Sequence, residues 1–202
     1  MPRKAKPNRR IIKPPDVRRS ELLEAATRLF ARDGFEAVTV SDITVEAGVA
    51  KGTFYLYFDS KEELVGALWQ RISLAVAERI GELHLPTNCG EWAGYTDRLV
   101  RLAIETQVEQ HDLHELVRQL PHLAHEGPGH TTRQDPVLER LGDILTAGSA
   151  AGAYSVPDPD LYGAVVYRLL HEAGDRATAD PASITRVVQA TTEMVRRLLL
   201  AS

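Results

Sequence analysis

Two short apolar segments separated by glycine constrain this chain more than any other feature. After Thr39 and Ser41, the residues Ile43, Val45 and Ala47 mark about two helical turns that stop at Gly48. Only Val49 and Ala50 separate them from Lys51-Gly52-Thr53-Phe54-Tyr55-Leu56-Tyr57-Phe58, which Asp59 and Ser60 close. That second segment is too short for a pair of strands and reads as a helix over 51–58. A longer helix precedes both: Asp16 can cap it, and Leu22, Leu23, Ala26, Leu29 and Phe30 recur at three- and four-residue spacing. Gly34 ends it, with Phe35 placed to fold back on the last turn. A long helix followed by two short ones across a glycine-containing turn is the pattern of a helix-turn-helix unit. Phe54 and Phe58 stand four apart and are expected to face the first helix, in the core.

The remainder also reads as helix. Ser60-Lys61-Glu62-Glu63 has the spacing of a capping box and opens a fourth helix that can run to about His84, before Pro86. About 25 residues at about 1.5 Å each span roughly 37 Å, enough to serve both the N-terminal unit and the C-terminal helices. Further helices are expected over 91–109, 112–120, 135–152, 158–176 and 181–200. Asp-Pro pairs beginning at Asp135, Asp158 and Asp180 mark three of the starts, since aspartate caps and proline at the first helical position loses no bond. The expectation is therefore an all-α chain of about nine helices in three parts: a disordered basic arm (1–15), a helix-turn-helix domain (16–62) and a helical effector-binding and dimerisation domain (63–202). Residues 123–134, rich in His, Gly and Pro, are expected to form the long loop.

Composition narrows the class. The 202 residues contain one cysteine, Cys89, so disulfide frameworks and CxxC metal sites are excluded. Charged residues interrupt every apolar stretch well short of the roughly 18 residues needed to span a bilayer. The N-terminus lacks the apolar run of a signal peptide, which places the protein in the cytoplasm with no membrane partner. The formal net charge of −4 hides an asymmetry. In residues 1–19, Arg3, Lys4, Lys6, Arg9, Arg10, Lys13, Arg18 and Arg19 face only Asp16, whereas residues 20–59 hold seven acidic residues against three basic ones. Positive charge is thus concentrated in an arm suited to a DNA phosphate or minor-groove clamp, while the folded module behind it is acidic.

The stretch from Leu23-Glu24-Ala25-Ala26 through Gly34-Phe35, Thr39-Val40, Ile43, Ala47-Gly48-Val49, Lys51-Gly52-Thr53, Tyr55, Tyr57-Phe58 and Ser60-Lys61-Glu62-Glu63-Leu64 resembles the N-terminal domain of tetracycline-repressor-like (TetR) regulators, over about residues 17–68. The resemblance implies a homodimer that presents two helices to successive major grooves of double-stranded DNA with a near-palindromic operator, and a repressor released by a small molecule. By position it assigns DNA contact to Lys51, Gly52, Thr53, Tyr55, Tyr57 and Lys61. The chemistry agrees: Gly52 admits a phosphate to backbone amides, the lysines release counterions, and tyrosine hydroxyls can bond phosphate oxygens. Thr39, Ser41 and Thr44 can donate to the opposite backbone strand. The sequence departs from the family's pattern at Ala50, where a capping serine is common, and at Leu56.

In the C-terminal part, Trp69, Trp92, Tyr95 and His114 are candidates for lining a cavity for a small apolar or amphipathic effector. Leu161, Val165, Val166 and Leu169 on one helix, with Val187, Val188, Val195 and Leu198 on the next, are candidates for a two-fold dimer interface in the form of a four-helix bundle. Histidines gather at 111, 114, 122, 125 and 130, but His114-Glu115 is followed by Arg118 where a zinc protease motif needs histidine, so no metal is expected. No nucleophile elbow or phosphate-binding glycine loop is present, and Cys89 has no histidine in its own turn. The chain is expected to be a regulator without catalytic residues or cofactor.

Overall fold

The computed structural model describes residues 14–111 and 135–200. The expected arm up to residue 13, the helix over 112–120, His114 and the loop over 123–134 lie outside the described residues. Among the described residues there are eight α-helices: α1 (Pro15–Asp33), α2 (Val40–Glu46), α3 (Lys51–Phe54), α4 (Lys61–Gly81), α5 (Trp92–Glu109), α6 (Pro136–Ala150), α7 (Pro159–Ala179) and α8 (Ile184–Leu199). Two 3-10 turns, Cys89–Glu91 and Pro181–Ser183, lead into α5 and α8. The chain divides into two compact units between Leu64 and Val65, inside α4.

The first unit is built on α1. Its core face carries Leu22, Leu23, Ala25, Ala26, Leu29 and Phe30, all buried, and α1 packs on α2, which packs on α3. Asp16 does not cap α1 as expected. Pro14 occupies the cap position without a side-chain bond, and Asp16 sits in the first turn, where its charge still favours the helix dipole. Gly48 adopts φ +66°, the left-handed conformation that turns the chain from α2 toward α3. The Val49 amide then donates to the Thr44 carbonyl at 2.9 Å.

The second unit centres on α7, which packs against α5, α6 and α8. Its glycine face permits close approach: a Cβ at Gly174 would collide with the Gln107 amide on α5. Asp135 and Asp158 cap α6 and α7 as expected, accepting from the amides of Val137 and Leu161. Asp180 makes no side-chain cap, and its Pro starts a 3-10 turn that delays α8 to Ile184. Tyr154 sits against Gly148, shares a hydrogen bond with Thr96 (2.9 Å) and stacks edge-on against Trp92, closing the core at the end of α6.

Candidate nucleic-acid interface and effector cavity

The helix-turn-helix surface is positioned by aromatic packing beneath it. Phe54 and Phe58 are 0% and 2% exposed, their ring centroids 5.6 Å apart, so they anchor α3 and the turn after it in the core. That turn replaces the expected end of the third helix: α3 closes at Phe54, and the amides of Tyr57 and Phe58 both donate to the Phe54 carbonyl. Ala50, with no side-chain oxygen, leaves the first turn of α3 without a side-chain cap. On the solvent side stand Lys51, Gly52 and the half-exposed Tyr55, together with Leu56 at 78% exposure. Space beside the Gly52 Cα is open, so a phosphate can reach the backbone there. Ser41 is also exposed, while Thr53 and Tyr57 are half-buried.

Three of the candidate DNA contacts are committed elsewhere. Thr44 is buried, and its hydroxyl donates to the Ser41 carbonyl, so it is withdrawn from the surface. Thr39 is exposed, but its Oγ1 accepts from the Asp42 amide and donates to the Asp42 carboxylate at 2.6 Å, while that carboxylate accepts from the Thr39 amide at 2.8 Å. This reciprocal box caps α2, and the Thr39 hydrogen bonds hold the Asp42 carboxyl below its usual range. Lys61 turns inward: its Nζ donates to the carbonyls of Phe35 (2.9 Å) and Val38 (2.7 Å) and lies 4.2 Å from the Phe35 ring centroid. It ties the α1–α2 connection to the start of α4. Arg28 pairs with Glu46 and Arg32 with Asp33, whereas Lys51 has no acidic partner among the described residues.

The second unit carries a partly open cavity of about 40 Å³, lined among the described residues by Trp69, Ile72, Ser73 and Val76 of α4, Ala103 and Gln107 of α5, Val137 of α6, and Tyr167, Leu170 and His171 of α7. Trp69 lies on its wall. Trp92 and Tyr95 do not: both are fully buried in the core with Tyr154 and pack on each other at 5.6 Å. They fill the interior because their side of α5 is covered by the chain's own helices. Burial pushes the Tyr95 hydroxyl up to about 12 and the His171 imidazole down to about 4, so His171 is neutral near pH 7. Sequence reasoning missed Ser73, Gln107, Tyr167 and His171; the only signal was a polar residue interrupting an otherwise apolar face.

The dimer candidates separate into two sets. Val166, Val188 and Val195 are 1%, 4% and 0% exposed inside the chain's own core and cannot meet a partner. Leu161 (58%) and Val165 (41%) remain exposed, with Leu169, Val187 and Leu198 half-buried.

A helix-turn-helix unit followed by an all-helical unit with an apolar pocket is the arrangement to compare with known proteins. Residues 22–68 match the family described as bacterial regulatory proteins, tetR family. The repressor KstR2 of Rhodococcus jostii is 52% identical over 48 residues, which is 24% of each protein. The repressor AcnR of Corynebacterium diphtheriae is 29% identical over 126 residues, covering 62% of this chain and 64% of that protein. The match to KstR2 thus spans about a quarter of that relative. The fold extends further than the sequence likeness. A TetR transcription regulator from Haloarcula marismortui superposes with TM-score 0.71 at 18% identity, covering 91% of this chain and 99% of that one. FadR from Bacillus subtilis, in complex with stearoyl-CoA, superposes with TM-score 0.65 at 22% identity over 87% and 96% of the two chains. The chain thus shares the fold of these structures, and no helix among the described residues is long and apolar enough to cross a membrane.

Proposed function

We propose that this chain is a homodimeric transcriptional repressor, acting in the cytoplasm, that grips a near-palindromic operator and lets go when a small effector opens the cavity of its second unit. The observation that carries this reading is the surface of α3, where a lysine without an acidic partner among the described residues, an open glycine and an exposed tyrosine stand together over a fixed aromatic base. Such groups position a protein on phosphates. Release has a physical route, because Trp69, Ile72, Ser73 and Val76 of the cavity wall lie on α4, whose first turn at Lys61 belongs to the DNA-binding unit. An effector that widens the cavity must move these side chains and therefore bias that helix. The dimer rests on Leu161 and Val165, which leave α7 with an apolar stripe toward solvent.

The test is a gel shift with the DNA upstream of the chain's own gene at low salt. Retardation that weakens as salt rises, and weakens further when residues 1–13 are deleted, is the expected result. A protein that forms its dimer yet retards no DNA would instead be an adaptor using the same surface for protein contacts.

A further inference from the structure

The cavity of the second unit carries an unusual charge pattern. Asp135 is only 7% exposed and has no cationic partner among the described residues. Its Oδ2 accepts from the Tyr167 hydroxyl at 2.9 Å and from the Ser73 hydroxyl at 3.5 Å, and its Oδ1 accepts from the Val137 amide. A buried carboxylate held by neutral donors keeps much of its field, because the low-dielectric interior screens it poorly. That field reaches the cavity wall: burial, together with the Asp135 charge, pushes the Tyr167 phenol well above its ordinary range. The donors Tyr167 and Ser73 themselves line the cavity. Beside them the wall is aromatic, with Trp69 stacked on His171 at 5.7 Å and Tyr167 set edge-on to His171 at 4.4 Å. No lysine or arginine is among the described residues that line the cavity; Arg168, adjacent to Tyr167 in sequence, is exposed to solvent, and its charge, weaker at Tyr167 than that of Asp135, also lowers the His171 imidazole.

Aromatic rings backed by a buried negative charge favour a cation and disfavour an acid. We propose, building on the effector reading above, that the cavity takes an organic cation: a compact substituted ammonium with an apolar tail, Asp135 supplying the counter-charge through Tyr167 and Ser73. At about 40 Å³ the cavity holds about three waters' worth of space. That suits a small ammonium head group, while the tail must part the apolar walls formed by Ile72, Val76, Ala103, Val137 and Leu170.

The experiment is calorimetric titration of the full chain with n-hexyltrimethylammonium, n-hexanol and hexanoate, paired with a gel shift in the presence of each. The ammonium is expected to bind at least about tenfold more tightly than hexanol, and hexanoate to bind weakest. Asp135→Asn keeps a cap for α6, because asparagine caps as well as aspartate, and should abolish the preference for ammonium over hexanol. Should that variant fail to fold, Trp69→Leu is expected to weaken ammonium binding selectively. Equal or tighter binding of hexanol or hexanoate, or an Asp135→Asn protein that keeps the ammonium preference, would overturn the proposal. Hexanol or hexanoate uptake that releases operator DNA would do so while leaving the effector reading intact. Selective ammonium uptake without release would support the cation site and sink the effector reading.

Discussion

Two lysines that look equivalent in sequence have opposite roles at the residue scale. Lys51 is exposed with no acidic partner among the described residues, whereas the Lys61 ammonium is held by two backbone carbonyls and a phenylalanine ring. Lys51→Ala should therefore reduce the slope of log affinity against log salt by about one, with little change in melting temperature. Lys61→Ala should lower stability by about 1–3 kcal/mol, since hydrogen bonds to a charged group are lost. Its salt slope should stay nearly as in the parent. Thermal melts and binding titrations at several salt concentrations on both variants check this, and a swapped pattern would refute the assignment. The distinction was not legible in the sequence, because the acceptors are carbonyls of Phe35 and Val38, more than twenty residues away, whose direction no side-chain pattern reports. Phe54 and Phe58 were legible as core because their four-residue spacing places them on one side of the chain, and they stay there although α3 ends at Phe54 and the turn after it carries Phe58.

The short helix α2 depends on its ends at the element scale. Seven residues are too few to be stable alone, so the box between Thr39 and Asp42 holds its first turn. Thr39→Ala should cost about 1 kcal/mol, read as a shift in the denaturant midpoint. The same box makes a pH signature. The Asp42 carboxyl is held below its ordinary range by the Thr39 hydroxyl and amide, so the unfolded chain binds the proton first. Its contribution is complete above the unfolded value of about 3.9 and is lost as the pH falls through the lower folded value. Stability against pH below about 4 should fall less steeply in Asp42→Asn than in the parent, and parallel curves would show that the box does not act this way. The α2 period was readable from Ile43 and Ala47. The cap was not identified as such, because Thr39 serves equally well as a phosphate donor until its partner is seen. The stripes of α7 and α8 were readable as apolar but not as divided. A helix apolar around much of its girth gives no clue to which side its own chain covers.

At the scale of the whole molecule, that division sets which face is left for the proposed dimer. Along α7, Val166, Tyr167, Leu170 and Ala173 face the core, while Leu161 and Val165 follow a separate i, i+4 line toward solvent that ends at Leu169, half-buried against the core. Along α8, Val188, Thr191, Val195 and Leu199 are buried, and the exposed large apolar residue is Met194, in line at i+7 and i+11 spacing with the half-buried Val187 and Leu198. A two-fold dimer places the same patch of each copy against its mate, so one added charge enters the interface twice. Leu161→Glu with Val165→Glu should therefore yield a monomer by sedimentation while the circular dichroism spectrum stays helical, because neither side chain contributes to the chain's own core. Operator affinity should fall at least about a hundredfold, since a monomer engages one half-site and loses the effective concentration that the second enjoys. Val166→Ala is the opposite case, costing about 2 kcal/mol of stability by opening a core cavity while leaving the association state unchanged. If the double glutamate variant still sediments as a dimer, α7 is not the contact, and if Val166→Ala dissociates the dimer without lowering its melting temperature, the two faces have been assigned the wrong way round.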